Sequence, residues 1–367
     1  MTLLDHAVQA VKELRPYQPG KPIDELAREF GLAVEDIVKL ASNENPLGPS
    51  PKAITAIEKA LKELTRYPDG NGFNLKKILS EKLEVAPAQI TLGNGSSDIL
   101  EFIVKCFVND GDEVVVSQHA FAIYGLVAKM QGGVVTQVPA KNWGHDLEAM
   151  AAAISDKTKV VFVTNPNNPT GTWNTKAEVD AFLAKVPKHV VVLLDEAYFE
   201  YVHKPDYPNG IDYLKDYPNL VVTRTFSKAY GLASLRVGYG ISSEELADLM
   251  NRVRPPFNVD SLALAAAEAT LKDDAYVRQS IQLNDDGMAQ LEQGFDQLNV
   301  KWIPSVGNFI CFEVTGKAAE IYQGLLEKGV IVRPVAGYEM PDHLRVSIGT
   351  YEENETFLLA LKSLLQG

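Results

Sequence analysis

The chain has 367 residues, 46% hydrophobic and 23% charged, ample for a large buried core and, by length, for roughly two domains. A net charge of −13 argues against nucleic acid or an anionic membrane as partner, so any anionic ligand needs a local cluster of arginines. The two cysteines, Cys106 and Cys311, lack CxxC or metal-ligand spacing, so buried thiols in a reducing compartment and no metal are expected, and no apolar run approaches the roughly 20 residues of a membrane span.

Residues 3–14 read as a short amphipathic helix, with Leu3, Ala7, Val8, Val11 and Leu14 on one face. The segment has no signal-peptide core, and a soluble cytoplasmic protein is expected. Pro16 stops the helix, and RPYQPGKP continues as an extended arm. Ile37 to Leu40 reads as a short strand leading into ASNENPLGPSP, a loop too long and polar for a simple turn. Such loops line sites or connect domains. Helices are predicted over 51–64 and 74–83, separated by RYPDGNG.

From about residue 90 to 240, strands alternate with helices. ITLGNGSSDIL gives a strand, a glycine turn and a helix start that either is capped by Ser96, Ser97 and Asp98 or holds an anion. Strands follow at 114–117, 134–138, 159–164 and 190–194 and from Leu220, with helices at 149–154 and near 175–185. The strands are continuous apolar runs, the pattern of a mainly parallel sheet covered on both faces. After Arg254-Pro255-Pro256 the composition changes. An alanine-rich helix over 262–271 and a second reaching 298 precede strands at 302–303, 309–314, 330–333 and 344–348, with helices over 317–327 and 353–365. The expected organisation is α/β. An N-terminal arm (1–45) packs with a smaller α+β domain (256–367), and residues 46–255 form the large domain.

Ligand chemistry in such a sheet gathers at the carboxyl ends of its strands. Polar clusters stand at the ends at Asn165–Gly171, Asp195–Tyr198 and Thr225–Lys228. Lys228 lies in a hydroxyl-rich loop past a buried strand; alone it reads as a solvated charge, but desolvated it becomes an amine nucleophile. Asp195 ends the run VVVLL, so its carboxylate emerges at the base of a cleft and either pairs with a cation or suffers a raised pKa. A pyridinium nitrogen is one such cation. Opposite the ring nitrogen of pyridoxal 5'-phosphate, Asp195 would keep the ring protonated as an electron sink. Lys228 would then supply the covalent link, Tyr198 and Asn168 would bond the phenolate oxygen, and Phe121 would stack on the ring. The phosphate would take Gly95, Ser96, Thr225, Ser227 and Arg236.

NPNNPTG, DEAYFEY and TFSKAYGLASLRVGYG, in that order, resemble the fold-type I pyridoxal-phosphate enzymes of the aspartate aminotransferase superfamily. Within it, RPYQPG at 15–20, LASNENPLGPSP at 40–51, RYPDGNG at 66–72, GNGSSD at 93–98 and LRVSIGT at 344–350 resemble the histidinol-phosphate aminotransferases. The likeness spans essentially the whole chain. It implies a mainly parallel seven-stranded sheet sandwiched by helices, plus a smaller α+β domain. It also implies ping-pong transamination between histidinol phosphate and 2-oxoglutarate, in histidine biosynthesis. By the same resemblance Tyr67 reaches the cofactor phosphate of a neighbouring subunit, making the active unit a homodimer. Arg345 takes the carboxylate of glutamate and, with Arg333 and Tyr17, the substrate phosphate, while Asn43 lines the substrate cleft. HAFAIYG departs from the commoner proline- and tyrosine-bearing form and leaves room for an aromatic amino acid preference; Ser234 stands where many relatives have glycine. An aromatic amino acid aminotransferase and a phosphothreonine decarboxylase are the alternatives, separated by product. A non-catalytic cofactor-binding sensor, which usually carries a fused DNA-binding module, is not expected, since an acidic chain of this length leaves no room for one.

Overall fold

The computed structural model describes residues 2–14, 16 and 19–366. Helices α1 (Gln9–Lys12) and α2 (Ile23–Phe30) precede strand β1 (Val38–Lys39) and helices α3 (Pro51–Ala60) and α4 (Phe73–Leu83). Then β2 (Ile90–Asn94), α5 (Ser96–Phe107), β3 (Glu113–Ser117), α6 (Ile123–Met130) and β4 (Val134–Val138) alternate. The alternation continues through α7 (Leu147–Ala152), β5 (Thr158–Thr164), α8 (Lys176–Leu183) and β6 (Val191–Asp195) to β7 (Leu220–Thr225) and β8 (Val237–Ser242). Helices α9 (Glu244–Val253), α10 (Ser261–Thr270) and α11 (Asp274–Leu298) lead to β9 (Trp302–Ile303) and β10 (Phe309–Glu313). The chain ends with α12 (Ala318–Glu327), β11 (Val330–Ile331), β12 (Arg333–Pro334), β13 (His343–Ser347) and α13 (Tyr351–Gln366).

Local signals place many of these ends. Ser50 caps α3 through Ala53 N–H at 3.1 Å, with Pro51 in the first turn. Thr175 and Glu178 form a capping box on α8, and the Asp260 carboxylate accepts from two N–H groups of α10.

The large sheet has seven strands in the order β2-β8-β7-β6-β5-β3-β4. Its pairings are parallel except those of β8, which runs antiparallel to both β2 and β7. Side chains alternate across a strand, so each run serves two cores. Val161, Val163, Val192, Leu194 and Val222 face one, and Val160, Phe162, Val191, Leu193 and Val221 the other. A four-stranded sheet, β12-β13-β10-β9, carries a separate core in which Phe295, Phe312 and Phe357 meet. β1 pairs in parallel with β11, and Leu26, Ile37 and Ala41 pack with Leu326 and Ile331.

Several expectations change. The predicted helix over 3–14 is a short 3-10 turn followed by α1, and Leu3, Leu4, Val8 and Val11 are exposed rather than packed. Helix α2, absent from the sequence expectations, carries a regular apolar stripe of Ile23, Leu26, Ala27 and Phe30 that packs into the same small core. The strand expected over 330–333 splits at Val332 between two sheets. Strand β8 was hidden by its glycines: Gly238 and Gly240 lie so close to Ser96 N and Ile99 that a Cβ at either would collide. The alanines of α10 pack with the large sheet, so the change of core falls later than the change of composition at 255.

Next to Asp195 and Thr223, Glu196 and Arg224 project to the opposite side and pair there, 1% and 4% exposed. Arg224 Nε and Nη2 both donate to Glu196 Oε2, at 3.0 and 2.8 Å, and Glu196 Oε1 accepts from Gly210 N. Removing one partner of a buried pair strands the other charge, so Arg224→Leu is expected to cost about 3–5 kcal/mol. Replacing both by leucine should recover much of that loss. Chemical denaturation of the cofactor-free protein checks this; an unchanged midpoint in the single variant would contradict it.

Candidate active site

Three adjacent strands end side by side, with Thr164, Asp195 and Thr223 in register. Asp195 is 4% exposed. Its Oδ1 accepts from Thr223 Oγ1 at 3.0 Å and its Oδ2 from the Tyr124 hydroxyl at 2.8 Å. Tyr124 in turn accepts from Thr164 Oγ1 at 2.8 Å and stacks on Phe162. Burial pushes the Asp195 carboxyl up, and the hydroxyls of Tyr124 and Thr223 oppose that shift. Both donors are neutral, so the cost of burying this charge is met by hydrogen bonds rather than by an ion pair.

Lys228 follows β7 and lines the same cavity. Its Nζ donates to Ser42 O at 3.0 Å and lies 5.6 Å from the centre of the Tyr198 ring. Burial first, and then the Arg345 charge, push the amine down to about 7. Such an amine is available as a base and nucleophile near neutrality. Burial likewise raises the Tyr198 hydroxyl to about 12, so it stays protonated and can donate.

At the other end of the cavity, α5 begins at Ser96 behind Gly95, with no side chain capping its first N–H groups. These amides can bind an anion. Gly95 has φ +73°, and a Cβ there would collide with the Arg236 guanidinium. Arg236 Nη1 donates to Ser227 Oγ at 3.3 Å, and Ser227 N to Thr225 Oγ1 at 3.1 Å. Ser96, Thr225, Ser227 and Arg236 all line the cavity.

Arg333 and Arg345 are cross-strand partners on β12 and β13, and both line the cavity. Like charges directly opposite one another are unfavourable unless an anion lies between or beside them. Arg345 is buried; its Nη1 donates to Asn168 Oδ1 and its Nη2 to Ala41 O at 2.7 Å, both neutral acceptors. Its Nε has no hydrogen-bond partner among the described residues.

The cavity thus brings together Asn43, Ser96, Phe121, Asn168, Asp195, Tyr198, Thr225, Ser227, Lys228, Arg236, Arg333 and Arg345, with Gly95 adjoining. Tyr67 is not among its lining residues: it is 82% exposed and stacks on Phe257 at 4.7 Å. Tyr17 lies outside the described residues. The sequence reading noted Thr223 in the hydroxyl cluster before Lys228 but gave no site role to it, nor to Tyr124, Thr164 or Tyr338. Tyr124 follows Phe121 by one helical turn, and the threonines occupy the positions level with Asp195 on neighbouring strands. Helical spacing and strand register were the signals that could have found these three; Tyr338 enters from a short turn after β12 that neither signal marks.

The donor set fits pyridoxal phosphate. A buried carboxylate held by neutral hydroxyls suits a cationic ring nitrogen, a lone depressed-pKa amine suits its aldehyde, and an uncapped helix start with hydroxyls and an arginine suits its phosphate.

The family profile described as "Aminotransferase class I and II" matches residues 35–361. Histidinol-phosphate aminotransferase 2 of Pseudomonas fluorescens (strain Pf0-1) is 60% identical over 98% of this chain and 97% of its own length. The Pseudomonas aeruginosa protein of the same name is 59% identical over the same shares. The crystal structure of histidinol-phosphate aminotransferase from Sinorhizobium meliloti in complex with pyridoxal-5'-phosphate superposes with a TM-score of 0.90. It is 28% identical, covering 98% of this chain and 97% of that one. A lysine and an aspartate facing one cavity, arginines at both of its ends and likeness along the full chain lead to one assignment: the chain belongs to the class I and II aminotransferases, within the histidinol-phosphate aminotransferase family.

Proposed function

We propose that the chain transfers the amino group of L-histidinol phosphate to 2-oxoglutarate, giving imidazole-acetol phosphate and L-glutamate in histidine biosynthesis. The observation that carries this reading is the paired arginines Arg333 and Arg345 opening on the Lys228–Asp195 cavity, two cations beyond those a cofactor phosphate would use. Relatives about 60% identical that bear the name histidinol-phosphate aminotransferase support it.

When bound, pyridoxal phosphate supplies an electron sink for the negative charge that develops at the substrate α-carbon. Asp195 would hold a proton at the ring nitrogen. Tyr198 and Asn168 would donate to the phenolate oxygen, and Phe121 would lie against the ring. Gly95, Ser96, Thr225, Ser227 and Arg236 hold the phosphate. Lys228 would anchor the cofactor through its amine, and that amine, neutral near pH 7, would serve as the base that holds or moves a proton at the substrate α-carbon. Arg345 binds the carboxylate of glutamate; in the other half-reaction it shares the substrate phosphate with Arg333 and Tyr17. Asn43 and its loop line the substrate cleft.

Tyr67 and Phe257, stacked at the surface and 82% and 45% exposed, support a homodimer in which Tyr67 serves the other copy's cofactor phosphate. Among the described residues no helix is long and apolar enough to cross a membrane. A cytoplasmic location and small-molecule substrates, rather than nucleic acid or membrane, complete the reading. So does a division into arm, large domain and small domain, with α10 grouped with the large one by packing.

Steady-state assays of the cofactor-loaded enzyme with 2-oxoglutarate test the substrate. The kcat/KM for histidinol phosphate is expected to exceed that for phenylalanine by about a hundredfold or more, as a charge-paired phosphate would give. Equal values would leave the cofactor chemistry standing and overturn the substrate. A second expectation concerns Lys228. In the cofactor-free protein its amine, pushed down to about 7, is protonated below that pH and neutral above it. Its acylation by an amine-reactive ester, read by peptide mass spectrometry, should rise through about pH 7 and then level off, while ordinary lysines rise toward about pH 10. A Lys228 profile like the ordinary one would contradict its depressed pKa.

A further inference from the structure

Asn43, in the loop between β1 and α3, is buried and holds φ +54°, the left-handed region that asparagine tolerates better than most residues. Its backbone N–H donates to Ser347 Oγ at 2.8 Å, and the Ser347 hydroxyl donates back to Asn43 Oδ1 at 3.0 Å. Asn308 Nδ2 donates to the Asn43 carbonyl at 3.0 Å. With its oxygen engaged by Ser347, the Asn43 amide turns its nitrogen to Tyr198, and Nδ2 donates to the phenolic oxygen at 2.9 Å. A hydroxyl has one proton and accepts through its lone pairs. Because Tyr198 accepts from Asn43, its own proton is left to point into the cavity. Ser347 shares a face of β13 with Arg345, two positions before it.

We propose that Ser347 and Asn43 are positioning residues that aim the Tyr198 proton at the cofactor and so tie the strand carrying Arg345 to the cofactor's protonation state. This deepens the function proposed above and rests on Tyr198 meeting the phenolate oxygen. Charged and titratable groups also act on Tyr198: Arg345, Asp195 and Tyr338 electrostatically, and Lys228 from above its ring. Ser347 and Asn43 are neutral, so replacing them alters hydrogen-bond direction without adding or removing a charge. When Ser347 is lost, the amide is free to turn over and accept from Tyr198, and the proton leaves the cavity.

The test is a pH titration of the visible absorbance of the bound cofactor. A hydrogen bond donated to the phenolate favours its negatively charged form, so losing that bond raises the midpoint. Tyr198→Phe should raise it, and Ser347→Ala should raise it in the same direction by about half a unit. Asn43→Gly, which keeps the left-handed backbone, should act likewise, and Ser347→Thr, which keeps the hydroxyl, should restore the parental value. In a Tyr198→Phe background, Ser347→Ala should add nothing. If Ser347→Ala lowers thermal stability but leaves the midpoint in place, or shifts it equally with Tyr198 absent, the relay is wrong while the proposed reaction stands. A Tyr198→Phe variant with an unmoved midpoint would instead remove Tyr198 from the phenolate and overturn both that part of the site and the relay.

Discussion

A carboxylate held out of water by neutral hydroxyls organises this molecule. Asp195 ends an aliphatic strand whose burial is essential to the sheet, so its side chain cannot retreat to solvent. Thr223 and Tyr124 satisfy its oxygens without balancing its charge. The neighbouring Glu196 has its own buried cation in Arg224, on the far side of the same strands. That contrast is informative. One carboxylate is ion-paired within the fold, while the other has hydroxyl donors and no ion pair among the described residues, so a cationic ligand binding beside it should also stabilise the protein by mass action.

The same logic of opposed charge sets the two ends of the cavity. Arg236 closes over Gly95 at an uncapped helix start, while Arg333 and Arg345 face the site from directly opposed positions on β12 and β13. The split at Val332 makes the second arrangement possible. β11 is tied to the N-terminal β1, and β12 leaves to pair with β13, so one continuous stretch serves two sheets and delivers Arg333 to the cavity. The arm's packing on Leu326 and Ile331 then places the Ser42–Asn43 loop over Lys228.

Much of the site was legible in the sequence because a parallel sheet gathers its chemistry at strand ends, and those ends were marked by NPNNPTG, DEAYFEY and TFSKAYG. What escaped was non-local. Thr164 and Thr223 matter through strand register, Tyr124 through the return of α6 to the sheet, and Ser347 through a contact with Asn43 across most of the chain. Strand β8 was obscured because its glycines answer to the close approach of α5, which overrides strand propensity. Tyr67 was legible as a motif, yet within this chain it stands exposed against Phe257, outside the cavity lining, and the role proposed for it needs a second copy.

The most direct measurement is the protonation of the bound cofactor's ring nitrogen, by NMR of the protein reconstituted with pyridoxal phosphate labelled with nitrogen-15. If Asp195 is the unpaired charge around which the site is built, the nitrogen resonates as a pyridinium at neutral pH, and as an unprotonated pyridine in Asp195→Asn. An unprotonated nitrogen in the parent protein would contradict the account, because the buried carboxylate would then have no cation to meet.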